Sequence, residues 1–402
     1  MNILVLGCGT IGSTIIRLLL KEKFVDEVYC ISKDEKVARS FLLKDFNAIE
    51  HREADALNFK AIKGFMKKCD FVVNALPSYV EVHGKDILVN LKILEFCLKV
   101  GVNYLDLACY GDYRRKIAEQ LSLNKKFEKE KLVGLINAGI SPGLTNVIVK
   151  DTSEEFDYLE SVKIRTLEEQ RGLEFVLPWS REGLLDVASD PLVYRNYRFA
   201  IKEPFTEREM YEYPSPFGRM PCYLLSHDET YTIPHFMKVR NVDVKGGGGD
   251  IEILTALYKL GIFEDEKIRV GKFRISPKKF AYSIIKGTPT TREFVKILDN
   301  EILEDAFFGI FVDCKGNLGK SKILVKTYTI FSQKMINKRL HGANYISYPT
   351  AISSTIFLKS IYKGKKLHGI LPPEALPKAV RKRILNELER REIILNVEYK
   401  KL

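Results

Sequence analysis

The sequence predicts an α/β fold: a doubly wound parallel sheet at the N-terminus, then a second α/β region built on a mixed sheet. Three observations carry this. Apolar strand-like runs alternate with amphipathic helical stretches over the first 140 residues. A glycine-rich turn, GCGTIG at residues 7–12, joins the first strand to the first helix. Past Pro142 the alternation gives way to loops rich in proline and aromatic residues (EYPSPFGRMPCYLL) and a glycine run at 246–249.

In chain order, Asn2–Leu6 is a continuous apolar run ending at a glycine, the signature of a strand buried on both faces. Residues 10–23 place Ile11, Ile15, Leu18 and Leu19 on one helical stripe. Residues 27–31 are β-branched and aromatic enough for a second strand; 37–43 suit a helix and 48–53 a short third strand. After an amphipathic helix at 57–68, DFVVNAL at 70–76 is the clearest strand of the set. Residues 85–100 read as a helix closed by Gly101. A strand at 103–107, a helix at 113–131 and a sixth strand at 132–137 complete the alternation. In the second region, 146–151 is helical, and strand-like segments recur at 161–166, 236–244, 310–314 and 323–331. A last apolar helix at 350–362 precedes KGKKLHGILPPEAL.

Bulk properties narrow the function classes. A chain of 402 residues, 46% hydrophobic and 29% charged, has room for two or three domains with ample core. No uninterrupted apolar run is long enough to span a bilayer, and MNILVLG lacks a basic segment before its apolar run, so it reads as a first strand and not a signal peptide. The seven cysteines form no CxxC pair and the six histidines no HxxxH or HExxH spacing. A reduced, cytoplasmic protein without a metal is expected. The net charge of +12 favours anionic ligands such as nucleotides and carboxylates. Nucleic acid is not expected, because Lys and Arg are spread along the chain with acids interleaved. The one dense basic run, VRKRILNELERRE, alternates with glutamates as a solvated helix face does.

The glycine turn has the form that cradles a pyrophosphate. Gly7 permits the tight turn, Gly9 lets backbone approach the ligand, and Gly12 lets helix pack on strand, while the N–H groups of Thr10, Ile11 and Gly12 open the helix toward the anion. Two further strand ends border the same crevice: NALP, with Ala75, Leu76 and Pro77, and NAGISPG, with Ala138 and Gly139. Pro142 either breaks the chain between domains or rigidifies a turn beside the nicotinamide. Ser32 stands 20 positions after Gly12, where an acid would hold the 2′-hydroxyl of NAD. Serine followed by Lys33 suits a 2′-phosphate, with Arg39 as a further helper, so NADP is expected over NAD. Asp34 is the complication, since a small shift of the strand end returns an acid to the ribose. Asp55, past the third strand, joins the cofactor-facing set. For chemistry, Asp106 ends the fifth strand as either a base or a turn-capping carboxylate, and Tyr79 and His83 follow the fourth-strand turn. His83 is a proton shuttle or a surface histidine; Tyr79 lines the nicotinamide pocket or packs as a core aromatic. Cys109 reads as a buried inert thiol.

At these residues the chain resembles the saccharopine dehydrogenase family. The resemblance runs in order through GCGTIG, DFVVNALP, GVNYLDLA, NAGISPGLTN, LPWSREGLLDVASDPLVYRN, ETYTIPH and YPTAISSTIFLKSIYKGKKLHGILPPEAL. It implies a split Rossmann NAD(P)-binding domain, residues 1–140 completed by C-terminal helices in 343–402, with an inserted α/β substrate and dimerisation domain on a mixed sheet at 141–342. It implies hydride transfer at a carbon–nitrogen bond of an amino-acid-derived amine, as in saccharopine and lysine metabolism, in a homodimer. Trp179 as a pocket wall, and Arg181, Arg195 and Arg240 as carboxylate partners, come from the resembling segments. Two departures stand out. Ser141 replaces an acid before the sixth-strand proline, and Asp243-Val244-Lys245-Gly246 stands where relatives carry an arginine. Loss of that arginine puts saccharopine itself in question, unless Arg240 or Lys245 substitutes, and leans toward a lysine 6-dehydrogenase-like substrate. A non-catalytic NADP-binding sensor on the same fold is the reading from another class.

Overall fold

The computed structural model describes residues 1–82, 85–109, 113–181, 183, 188–362 and 367–402. Strands β1 (Asn2–Leu6), β2 (Glu27–Ser32), β3 (Glu50–Glu53) and β4 (Phe71–Asn74) are followed by a hairpin of β5 (Tyr79–Val82) and β6 (Lys85–Leu88), then by β7 (Asn103–Asp106) and β8 (Val133–Leu135). The later strands are β9 (Tyr158–Gly172), β10 (Leu192–Arg195), β11 (Arg198–Ile201), β12 (Glu209–Glu212), β13 (Arg219–Leu224), β14 (Asn241–Gly247), β15 (Ile268–Val270), β16 (Phe273–Ile275), β17 (Leu303–Leu318), β18 (Ser321–Ser332), β19 (Gly369–Leu371) and β20 (Asn396–Lys401).

The first sheet has seven strands in the order β19-β8-β7-β4-β1-β2-β3, all parallel. Its central strands are apolar on both faces because helices cover both, whereas the edge strand β3 is polar. Ile3, Val5, Cys30, Val73 and Leu105 point to one side, where Ile15, Ile16 and Leu19 of the helix Thr10–Leu19 meet Ile352 and Ile356 of the helix Ser347–Tyr362. Leu4, Leu6, Tyr29, Ile31, Val72 and Tyr104 point to the other, onto Ile62, Phe65, Ile93 and Leu94. The doubly wound expectation therefore stands, with one strand more than the six foreseen. The seventh, β19, arrives from near the C-terminus and pairs with the outer edge of β8.

The second sheet has nine strands, with β11-β10-β14-β9-β17-β18-β20 as its main path and the β12–β13 hairpin joined through β13 to β14. It is mixed: β14 lies parallel to β9, and the neighbours on either side are antiparallel. Strand period two divides its side chains. Val162, Ile164, Val242 and Val244 join the core that also covers the parallel sheet. Lys163, Arg165, Asp243 and Lys245 take the opposite face, in register with one another.

Several boundaries differ from the sequence expectation. Residues 85–88 belong to the β5–β6 hairpin, and the helix begins at Val89. The long helix expected at 113–131 is two, Tyr113–Leu121 and Asn124–Lys129. The break lets the Asn124 carboxamide accept from Ile370 N at 2.7 Å and tie down β19, which no local pattern announces. The strand expected at 236–244 starts later: Phe236 closes the helix Glu229–Phe236, and β14 begins at Asn241. Among the described residues no helix is long and apolar enough to cross a membrane.

On the outer face of the mixed sheet the Arg165 guanidinium, fully buried, donates to Asp243 at 2.6 Å and Glu209 at 2.8 Å. Removing the buried cation strands Asp243 and leaves Glu209 to Lys163 and Lys245. Arg165→Met should lower unfolding free energy by about 3–5 kcal/mol, read as a drop in the urea midpoint. A change under ~1 kcal/mol would show that water already serves those carboxylates.

Candidate active site at the carboxyl edge of the parallel sheet

The glycine turn leads from β1 into the helix Thr10–Leu19, whose N-cap, Gly9, supplies no side-chain cap and whose first turn holds no acid. Its N–H groups and partial positive charge are left for an anion. A Cβ at Gly12 would stand 2.1 Å from the Gly7 carbonyl, and Gly7 itself sits at φ +92° against Ala75 O. A Cβ at Gly9 would meet nothing within 4 Å, so the turn is tight beneath and open above, as a pyrophosphate cradle must be. A cavity of about 340 Å³ continues from Gly7 and Gly9 past Ser32, Lys33, Asp34 and Asp55 to Leu76 and Pro77. The residues fit a dinucleotide.

At the ribose end the side chains are already engaged. Ser32 Oγ lies 2.8 Å from His51 Nε2, a neighbour the sequence reading did not single out. Lys33 and Asp55 form an exposed ion pair at 3.3 Å, and Asp55 also accepts from Leu57 N at 2.9 Å. Asp34 caps the helix Glu35–Leu42 by accepting from Val37 N at 2.9 Å. Arg39 is committed to Glu35 at 2.7 Å and stacks over Phe46.

The other two strand ends meet over Asp106. This carboxylate is 1% exposed and accepts from Asn90 Nδ2 (2.8 Å), Gln120 Nε2 (2.8 Å), Tyr104 OH (3.0 Å) and Asn137 N (2.7 Å). Burial pushes its carboxyl up to about 6, against these four bonds. The carboxylate is turned inward, with its described hydrogen bonds all made to the strand ends and helices around it. Ala138 N donates to Asp106 O at 2.8 Å, and Gly139 has Leu107 O and Pro142 O within 3.0 Å of where a Cβ would stand, so the sixth-strand turn lies close over the fifth. Tyr79 is half-buried on β5, beside the cavity-lining Val80. His83 lies outside the described residues.

A second acidic centre closes the crevice from the mixed-sheet side, and the sequence reading missed it. The segment Ser226–Glu229 is buried against these turns. Cys109 N donates to Asp228 Oδ2 at 2.6 Å, placing the segment at the end of β7. Ser141 Oγ and Thr145 Oγ1 donate to Glu229 Oε1 at 2.6 and 2.8 Å, and His227 Nδ1 stands 3.2 Å from Glu229 Oε2. Burial alone would raise the Glu229 carboxyl; the His227 ring and the hydrogen bonds from His227 and Ser141 hold it below its usual value. Ser141, in place of the family's acid, thus serves a glutamate brought from elsewhere in the chain. The signal available in the sequence was the run SHDE directly before TYTIPH.

The substrate candidates divide. Arg195 pairs with Glu207, and Arg240 is exposed and donates to Asn196 Oδ1 at 2.9 Å. Lys245 donates to Glu207 O at 2.7 Å and Glu209 at 3.1 Å. Lys245 and Arg195 lie on the outer face, so these three do not supply the missing arginine's charge to the crevice. Arg181 differs: it lies over the Tyr282 ring and has no acidic partner among the described residues. Trp179 packs against the cluster of Leu177, Phe205 and Leu225. On the inner face, at the junction with the parallel sheet, Glu168 is buried beside Asp250, which accepts from Tyr345 OH at 2.5 Å and Gln170 Nε2 at 3.1 Å. Burial and the Asp250 charge push Glu168 up to about 8; burial pushes Asp250 up to about 6.

Two family models match this chain. One, described as the saccharopine dehydrogenase NADP binding domain, covers residues 3–140; the other, described as the saccharopine dehydrogenase C-terminal domain, covers 139–394. The chain belongs to the saccharopine dehydrogenase family. It is an oxidoreductase that uses a nicotinamide cofactor and acts at a carbon–nitrogen bond. A carboxynorspermidine synthase of Vibrio cholerae is 23% identical over 292 residues, 67% of this chain and 68% of that protein. A carboxyaminopropylagmatine dehydrogenase of Synechocystis sp. is 25% identical over 174 residues, 40% of this chain and 43% of that protein. The apo saccharopine dehydrogenase (L-Glu forming) from Saccharomyces cerevisiae has the same fold, with a TM-score of 0.69 at 14% identity over 99% of each chain.

The inner-face acids carry a stability signature. Glu168 has a folded pKa of about 8, above its unfolded value, so the folded state keeps a proton that the unfolded state loses. Its cost is absent below about pH 4.5 and grows as pH rises to 8, reaching about 3 kcal/mol at pH 7. Glu168→Gln should therefore raise the urea midpoint at pH 7 and leave it nearly unchanged near pH 4.5. Equal effects at both pH values would refute the assignment.

Proposed function

We propose that this family member is an NADP-preferring dehydrogenase of a carboxylated, polyamine-like secondary amine, rather than of saccharopine or lysine. The carrying observation is the asymmetry of the mixed sheet. Lys245 and Arg195 are neutralised on its outer face, whereas its inner face holds the buried acids Asp250 and Glu168, the latter protonated in the free protein at pH 7 and able to give up that proton beside an arriving cation. A substrate rich in cationic nitrogens and poor in carboxylates matches that charge. The two relatives, a carboxynorspermidine synthase and a carboxyaminopropylagmatine dehydrogenase, are named for the same class of amine. Arg181 is the candidate for the remaining carboxylate. The nucleotide would be held by residues 1–140 with 343–402, and the substrate largely by 141–342.

When bound, the cofactor supplies or accepts the hydride. The chain's part is to orient the amine and manage its proton. His227, held by the ionised Glu229, acts at the substrate nitrogen: it gives a proton to the imine that is reduced, or takes one from the amine that is oxidised. Glu229 fixes the ring's orientation, a job for which Ser141 and Thr145 hold it in place. Asp106 keeps the three strand ends at their spacing without touching the reacting atoms.

Steady-state assays following reduced nicotinamide absorbance test the reading. Carboxynorspermidine should be oxidised with a kcat/KM well above that for saccharopine or lysine; a preference for either of those overturns it. His227→Gln should cut kcat about 100-fold or more while leaving cofactor affinity within about twofold. Preference for NADP rests on Ser32 and Lys33 facing the ribose end, with Asp34 employed as a helix cap. Ser32→Asp should move the kcat/KM ratio toward NAD; an unchanged ratio removes Ser32 from cofactor choice.

A further inference from the structure

Ser32 lines the nucleotide cavity at the end of β2, and behind it, on the neighbouring strand β3, stands His51. The two side chains meet at 2.8 Å between Ser32 Oγ and His51 Nε2. The ring is half-buried, with Phe46 packed against it at a centroid distance of 5.2 Å. This contact has two senses, and they do opposite things to a phosphate. With a proton on Nε2, His51 donates to Ser32, and the serine's own proton must seek another acceptor. The alternative within the protein is Asp34 O at 3.2 Å, a long bond that a phosphate oxygen in the cavity outcompetes. Without that proton, Ser32 donates backward to the ring and turns its lone pairs toward the cavity, repelling a 2′-phosphate.

A doubly protonated ring permits only the first sense and adds a positive charge behind it. The groups that face the ring are Glu35 and Arg39 from the helix Glu35–Leu42, Glu53 from β3 itself, and the neutral thiol of its register partner Cys30 on β2. Burial holds the ring below its ordinary value, with Arg39 acting in the same direction and Glu35 and Glu53 opposing. The free protein therefore keeps His51 neutral at pH 7, and an arriving dianion is the event that draws a proton onto it.

We infer that His51 is a positioning residue for the cofactor's 2′-phosphate, which directs the Ser32 hydroxyl proton into the cavity and makes the preference for NADP over NAD depend on pH. This rests on the NADP reading above. Linkage fixes the sign: if phosphate binding favours the protonated ring, the affinity for NADP relative to NAD rises as pH falls through the ring's titration. NAD, with a hydroxyl at the same place, accepts either sense of the serine and gains nothing.

The test is a fluorescence titration of NADPH and NADH into full-length wild type and His51→Gln at several pH values. The phosphate's own ionisation is common to both proteins and cancels in their comparison. The wild-type preference for NADPH over NADH should exceed the variant's about tenfold near pH 6 and about twofold or less near pH 8.5, with NADH binding alike in both. A difference that does not change with pH, or an equal loss for both cofactors, gives His51 a structural role only and overturns the inference. A wild type that prefers NADH at every pH overturns the NADP reading and this inference together; a wild type that prefers NADPH while the variant matches it overturns this inference alone.

Discussion

The carboxylate of Asp106 receives hydrogen bonds from the helix after β6, from β7, from the helix before the sixth-strand turn, and from the backbone of that turn. Asn90, which donates to Asp106, also holds Ala108 O at 2.9 Å, and Tyr104 receives Asn74 Nδ2 at 3.1 Å. The ends of β4, β7 and β8 thus share one buried anion, which costs desolvation and repays it only with complete bonding. Fixed strand ends allow Ser226–Glu229, which follows β13 of the mixed sheet, to dock through hydrogen bonds from Cys109, Ser141 and Thr145.

How much of this was written locally follows from the range of each interaction. The glycine turn, the strands of the parallel sheet and the place of Ser32 on the cavity wall were legible, because each depends on near neighbours and period. The surroundings of Asp106 were not: a strand-end carboxylate reads equally as base or cap, and nothing local shows Asn90, Gln120 and Asn137 converging on it. Glu229 escaped for a related reason. Its partners Ser141 and Thr145 lie more than 80 positions away, and nothing in ETYTIPH marks the first residue as buried. His51 escaped because a lone histidine on a short, mostly exposed strand carries no pattern. The arginine candidates could not be sorted locally, because arginine answers to carboxylates of either origin, and one of the protein's own glutamates pairs with Arg195.

Strand alternation does chemical work in the mixed sheet. One register places Asp243 and Lys245 with Lys163 and Arg165, and the intervening positions Val244 and Gly246 with Ile164 and Thr166. A slip by one residue would exchange the two faces, moving a dense set of cations into the crevice and burying aliphatic side chains among Tyr211, Tyr213 and Phe311. Fold and charge selectivity are therefore specified by the same pairing.

The last strand to enter the parallel sheet has a temporal consequence. β19 pairs with β8 across an interval of more than 230 residues, and Asn124 waits equally long for Ile370 N. On a ribosome the first strands are finished early, yet the β8 edge keeps unpaired amides until residues 369–371 emerge. A nascent chain must carry that adhesive border through most of its translation, a window in which a chaperone or a slow codon schedule would decide between closure and self-association.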